Sequence, residues 1–393
     1  MARRPAQRSP FGQRAATAAA AAAALGAIVL LSGPGGAGPE DAAGAAAAAN
    51  RPAAAPAPVT IERRARRRAR RLYWGAWIGE QFTGTQPPWD MRALARFERI
   101  TGKRVSLLEF AAPFAECGLL DCNFYGFPAA EMTRIRRHGA IPFFSWSSQS
   151  IPGSVNQPNF QLRDVANGRY DGYIHGWARA AKRWGHPFFL RFDWEMNGDW
   201  FPWGAGVNGN RKRHYRRAWR HVHRIFGRAG ARNVTWVWCP YVDPDHNYGL
   251  RPFWPGRRFV DWTCLDGYNW GPGNPANSRP WQSFGQLFRS SYRRVTRLAR
   301  RKPMILGEIA SSDYGGSKAG WIRNMLRKLP RRYRKIRGFV WFDANDRGAN
   351  WEIEASRSSK RAFRRGISRR TYAPSRFRRI HRSPIRPPGR VRR

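Results

Sequence analysis

The chain is short of cysteine and of acidic residues, and each shortage closes off a class of function. Four cysteines, Cys117, Cys122, Cys239 and Cys264, stand among 393 residues, with no CxxC pair and no histidine cluster beside them. That spacing excludes a zinc-ribbon or zinc-finger framework, so no metal is expected. No glycine-rich dinucleotide loop follows the first apolar segment, and no cofactor is expected. Only 25 acids oppose 71 bases, a formal charge of +46, and just eight of those bases are lysine. Such an excess invites a nucleic-acid reading. Yet helix-turn-helix, zinc-finger and RNA-recognition patterns are all missing, and the arginines are spread over most predicted helices rather than gathered on one face. No specific nucleic acid is expected as a partner; electrostatic association with anionic cell-envelope polymers is.

Long apolar runs are scarce too. Residues 15–31, AATAAAAAAALGAIVLL, follow Arg3, Arg4, Arg8 and Arg14 and precede a zone of small residues. This is the layout of a secretory signal, placed at 1–33, with a membrane anchor as the alternative at the lower limit of spanning length. Residues 34–71 are rich in Gly, Ala and Pro and end in a basic run, which reads as linker. Residues 367–393 hold ten arginines and no acid, and are expected to be a disordered basic tail. Between them, 72–366 suffices for one large domain with a full core. The expected protein is secreted, free or held at the cell surface, and monomeric. Export permits disulfides: Cys117 and Cys122, in ECGLLDCNF, are spaced for a loop staple, while Cys239 and Cys264 could be bridged or simply buried.

Within 72–366, eight strand-like segments alternate with helical patterns: 72–79, 105–112, 140–147, 187–195, 233–241, 262–270, 303–310 and 336–344. In the helix over 213–226, Tyr215, Trp219, Val222 and Phe226 recur at helical spacing with arginines opposite. Eight such repeats predict an α/β fold, a (β/α)8 TIM barrel, rather than a doubly wound sheet. In that barrel the strand ends share one mouth. Glu195, in PFFLRFDWEMNGDWFPWG, ends the fourth strand, and Glu308, in MILGEIASS, ends the seventh. Two carboxylates converge there among tryptophans, whose flat faces suit sugar rings and whose bulk desolvates a carboxyl toward use as an acid. Trp194, Trp200 and Trp203 cluster beside Glu195, and Trp146, Tyr268, Asn269, Trp270 and Trp341 are placed around the mouth. Asp243 and Asp245 fall in the loop after strand five. Arg191 and Asp193 share the inward parity of Glu195 on a regular strand and are expected to support the site, either as a salt-bridged pair inside the barrel or by taking part in catalysis.

These residues carry a resemblance. LRFDWEMNGDWFPWG resembles the strand-four signature of glycoside hydrolase family 26, through Arg191, Glu195, Met196, Asn197, Gly198, Trp200, Trp203 and Gly204. The resemblance implies a retaining TIM-barrel glycosidase with Glu195 as general acid/base and Glu308 as nucleophile. It further implies that Tyr268, in DGYNW, hydrogen-bonds the nucleophile, that Trp341, in VWFD, is a sugar platform, and that Asn197 and the neighbouring tryptophans bind substrate. The implied activity is endo-hydrolysis of a β-linked polysaccharide, β-1,4-mannan first, with β-glucan and β-1,3-xylan as family alternatives. A catalytically weak barrel that binds wall polysaccharide is the non-enzymatic alternative. Two positions depart from the family pattern: Trp194 stands where the family has histidine before the acid/base, which bears on mannan specificity, and Phe192 follows Arg191 where the family's strand-four run has proline.

Overall fold

The computed structural model describes residues 70–391, apart from 244–248 and 347; the expected signal segment and most of the linker lie outside the described residues. Chain order is β1 (Tyr73–Ile78), α1 (Met91–Thr101), β2 (Leu107–Cys117), β3 (Cys122–Phe124), α2 (Ala129–His138), β4 (Ile141–Ile151), α3 (Leu162–Ala166), α4 (Asp171–Trp184), β5 (Phe188–Phe192), α5 (Lys212–Arg228), β6 (Val234–Trp238), β7 (Trp262–Asn269), α6 (Phe284–Leu298), β8 (Met304–Ser311), α7 (Lys318–Arg332), β9 (Ile336–Asp343) and α8 (Arg357–Ile367). All strands but β3 pair in parallel, and the β1–β9 and β1–β2 pairings close them into an eight-stranded (β/α)8 barrel. β3 is an extra strand, antiparallel to β2.

Local chemistry sets the helices. Asp90 caps α1, which ends at a left-handed Gly102; Ser283 and Gln286 form a capping box on α6. The apolar stripe expected on α5 is buried in full, including Tyr215, Trp219, Val222 and Phe226. The eight barrel strands are buried on both faces, and alternation divides their side chains between two cores. Outward residues such as Trp74, Trp146, Phe192 and Trp341 pack under the helices. Inward residues at the N-terminal end form an aromatic floor of Tyr73, Phe143, Phe189 and Trp262. Two and four residues further along the same strands come the charged and polar groups of the site.

The expectation for the C-terminus is overturned. Residues 368–391 are no disordered tail: they cross the floor of the barrel and close it. Thr371 and Ala373 bond the backbone of Leu72, Phe377 N–H donates to Gly139 O, and Ile385 N–H donates to Thr235 Oγ1. Ile385 and Arg386 supply carbonyls to the Trp262 indole (2.8 Å) and the Tyr73 hydroxyl (2.8 Å), and Phe377 packs edge-on against Tyr73. Tyr372 and Ile385 are buried. The domain boundary at 366 therefore falls too early. The arginine-rich composition masks four apolar anchors, Tyr372, Phe377, Ile380 and Ile385, all packed on the core.

Both cysteine pairs are bonded. Cys117–Cys122 staples the β2–β3 hairpin, whose tip carries the fully exposed Leu119 and Leu120. Cys239–Cys264 joins the end of β6 to β7 inside the barrel.

Candidate active site

β5 stops at Phe192, and the chain turns sharply rather than running on to Glu195. Asp193 (φ 41°) and Glu195 (φ 53°) adopt left-handed backbone, an uncommon conformation for such residues and one met at functional sites. The turn is tied from all sides. Asp193 accepts from Ser148 N–H (2.8 Å) and Ser148 Oγ (2.7 Å), and Glu195 N–H donates to Cys239 O (2.7 Å). Asn197 exchanges two hydrogen bonds with the Tyr241 backbone, and Trp203 Nε1 donates to Trp194 O. A Cβ on Gly198 would come within 2.4 Å of the Trp200 ring, so only glycine lets that indole fold back. Trp200 Nε1 then donates to Glu195 Oε2 at 2.6 Å.

Glu308 comes from β8, where a register shift against β9 brings it to the mouth. Both its oxygens accept: Oε1 from Arg191 Nη2, Oε2 from the Tyr268 hydroxyl. Its backbone N–H donates to Asp266 Oδ1 at 2.7 Å. Arg191 is the hub beneath. It donates to Asp266 Oδ2 (2.7 Å), to Ser145 Oγ (2.8 Å) and to Glu109 Oε1, and lies 4.7 Å from the Trp194 ring. One guanidinium thus faces Glu109, Asp266 and Glu308, with Glu195 nearby. Burial, the largest cause, pushes Glu109, Asp266 and Glu195 well above the usual carboxylate range; for Glu195 the negative charges of Asp266 and Glu308 add to it. Glu109 Oε2 has no hydrogen-bond partner and is buried, a natural seat for a proton. The two mouth carboxyls sit in different surroundings: Glu195 is 5 % exposed and takes one indole donor, whereas Glu308 is held by a cation and a phenol.

The remaining wall is aromatic. Tyr268 lies among Tyr241, Trp270, Phe342 and Trp351 at 5.2–6.5 Å, and Trp200 meets Tyr241 edge-on at 5.1 Å. Among the described residues one cluster has metal-type donors, Cys239, Cys264 and Asp266, but its two sulfurs are bonded to each other.

Residues 140–313, from the start of β4 to just past β8, match the family model of glycosyl hydrolase family 26. The barrel belongs to glycoside hydrolase family 26. Endoglucanase H of Acetivibrio thermocellus is 32 % identical over 298 residues, covering 75 % of this chain and 30 % of that protein. Mannan endo-1,4-beta-mannosidase A and B of Caldalkalibacillus mannanilyticus is 30 % identical over 171 residues, covering 40 % of this chain and 29 % of that protein. The chain thus spans about three tenths of the length of these curated relatives. The solved structure of a GH26 beta-mannanase from Bacteroides ovatus shares the fold, with a TM-score of 0.56 at 16 % identity over 79 % of this chain and 91 % of that one.

The family 26 barrel brings Glu195, Glu308, Tyr268, Trp200 and Trp270 to one mouth, but several expected site residues lie elsewhere. Trp146 and Trp341 point outward: Trp146 stacks on Trp177 of α4 at 4.3 Å, and Trp341 packs on Trp321 and Phe363 and donates to Trp351 O. Parity is the reason, since Trp341 precedes the inward Phe342. Trp203 is a fully buried brace stacked on Phe201, and Asn197 spends its amide on the Tyr241 backbone. Trp194 is buried beneath Arg191 and is a support for it rather than a sugar platform. Arg191 does not pair with Asp193, because the strand ends between them and the left-handed turn carries Asp193 toward Ser148. Asp243 is buried and paired with Arg294, Asn269 bonds Ser311, and Asp245 lies outside the described residues. Glu109, Asp266, Tyr241 and Trp351 were missed. The first two were findable, as acids at inward positions of predicted strands facing an inward arginine.

Proposed function

We propose that this barrel hydrolyses a β-linked polysaccharide internally, with retention of anomeric configuration. The observation that supports it best is the pair of opposed carboxyls in unlike settings, Glu195 and Glu308. Retention calls for a carboxyl separation of about 5–5.5 Å, too short to admit a water between nucleophile and sugar. Glu308, aimed by Arg191 and Tyr268, attacks the anomeric carbon while Glu195 gives its proton to the departing oxygen. Glu195, now a carboxylate, takes a proton from the water that cleaves the glycosyl-enzyme. The raised pKa of Glu195 keeps the acid loaded, and Trp200 holds the carboxyl in line.

For the backbone sugar we favour glucan. The likeness to Endoglucanase H reaches across 75 % of this chain, whereas that to the mannan endo-1,4-beta-mannosidase reaches across 40 %. Trp194 in place of histidine fits a site that departs from the mannan pattern. Mannan is the second reading, supported by that mannosidase relative. Export is proposed on the layout of residues 1–31 alone, and N-terminal sequencing of secreted material that begins at Met1 would count against it. Lichenan, mannan, laminarin and xylan, each assayed with product sizing and early-time NMR, test the rest. Oligomers retaining the β-anomer and released fastest from lichenan are expected. Inverted products would end the retaining scheme, and preference for mannan would replace the glucan assignment.

A further inference from the structure

Away from the mouth, the outer helices α7 and α8 lie side by side, and neither contains an acidic residue. Between them runs a groove of about 660 Å³ lined by Arg323 and Arg327 of α7, Arg361 and Arg365 of α8, and Arg369 just beyond. Its floor is small and apolar: Gly320, Leu326, Ala362 and Gly366. A Cβ on Gly366 would come within 2.2 Å of Leu326, so the absence of a side chain there lets the helices close up under the groove. The five arginines are exposed, and among the described residues none has an ion-pair partner.

Position separates these arginines from general surface charge. Arg323 and Arg327, and likewise Arg361 and Arg365, are four apart, so each pair forms one ladder with rungs about 6 Å apart. The two ladders face the same trough. Like charges set this close repel, which disfavours the arrangement unless an anion fills the space between. Helix-dipole stabilisation explains Arg365 in the last turn of α8, but it reaches neither Arg323 nor Arg361, which stand in the interiors of their helices. All five bases are arginine, whose planar fork grips phosphate oxygens two at a time. The helices pack side by side, and the trough left between their outer side chains, about 660 Å³, suits one extended chain better than a duplex. Asn324 also lines the groove, and its side-chain oxygen has no partner; turned over, its amide offers N–H groups to the same ligand.

We propose that the α7–α8 groove is a binding site for a linear, single-chain phosphate polyanion, separate from the glycosidase mouth. The direct test is binding of the full chain to a short inorganic polyphosphate across a salt series. Five phosphate contacts give a slope of log affinity against log salt of about −3.5, taking the single-strand value as a guide. The variant Arg323→Gln/Arg327→Gln/Arg361→Gln/Arg365→Gln is expected to bind about tenfold or more weakly and to flatten that slope to about −0.7. Its control removes equal charge from the other side of the barrel, where Arg179, Lys182, Arg183 and Arg228 line a groove between α4 and α5. Converting those four to Gln is expected to change affinity less than threefold, on the screening of distant charges. Melting curves of both variants establish that they are folded, and turnover on neutral polysaccharide stays at the parent level in both. Equal losses in the two variants would mean diffuse attraction and overturn the site. So would tighter binding to polygalacturonate, a carboxylate chain, than to polyphosphate.

Discussion

Replacing Ile385 by alanine probes the least expected part of the fold, the strap across the barrel floor. Ile385 is buried, its N–H bonds Thr235 and its carbonyl takes the Trp262 indole, so the backbone is anchored on both sides of the side chain. Truncating such an isoleucine costs about 2–5 kcal/mol, the spread reflecting how far the cavity collapses. For a domain of this size each kcal/mol lowers Tm by about 2–4 °C, so a drop of roughly 4–20 °C is expected. Tyr372→Phe removes only the hydroxyl bond to Leu326 O and should cost about 1 kcal/mol. Cutting the chain at 366 strips the cover from Tyr73 and Trp262 and should give insoluble or partly folded protein. The assay is a thermal melt of each variant, with turnover measured well below the transition. Ile385 lies at the end of the barrel opposite Glu195, so turnover of the folded variant should stay near the parent value. If Ile385→Ala and the truncation both melt like the parent, the strap contributes nothing and the floor of the barrel is misassigned.

Three further outcomes bear on the chemistry. Glu195→Ala should lose activity on polysaccharide yet turn over a substrate with a good leaving group when azide is supplied, yielding a β-glycosyl azide; an α-azide would refute Glu308 as nucleophile. Tyr268→Phe should lower kcat about 10- to 100-fold with little change in KM, since its hydroxyl touches Glu308 rather than the outer substrate; an unchanged kcat would show that bond to be incidental. Stability should decline as pH rises between about 5 and 8, because Asp193, pushed up to about 8 by burial against the pull of Ser148, and Glu109 and Glu195, also raised, hold protons in the native state that the unfolded chain has already released. A urea midpoint that climbs over that range would contradict the burial argument.

Much of the site was readable because it rests on period and position. Strand-length apolar runs ending in Glu195 and Glu308 placed both carboxyls at one mouth once the eightfold repeat was recognised. Asn197 and Gly198 marked a turn that does occur there, and the spacing of Cys117 and Cys122 announced their staple. The errors have a common origin. Tryptophan suits sugar by residue type, but which face of a strand Trp146 and Trp341 take depends on one-residue parity, Trp203 is drawn inward from the loop to stack on Phe201, and the true end of β5 at Phe192 breaks the parity that would have joined Arg191 to Asp193.

Hydrophobic periodicity and residue type, both legible along the chain, set the repeat of strands and helices, the candidate carboxyl pair Glu195 and Glu308, and the excess of arginine. Tertiary structure alone decided the company those residues keep. It gathered Glu109, Asp266 and Glu308 around Arg191 from strands far apart in the chain, because closure of the barrel points their side chains at one axis. It also turned residues 368–391 from a basic tail into a floor, because the open end of the barrel exposes aromatic surface and unpaired strand-end groups that only a returning segment can cover.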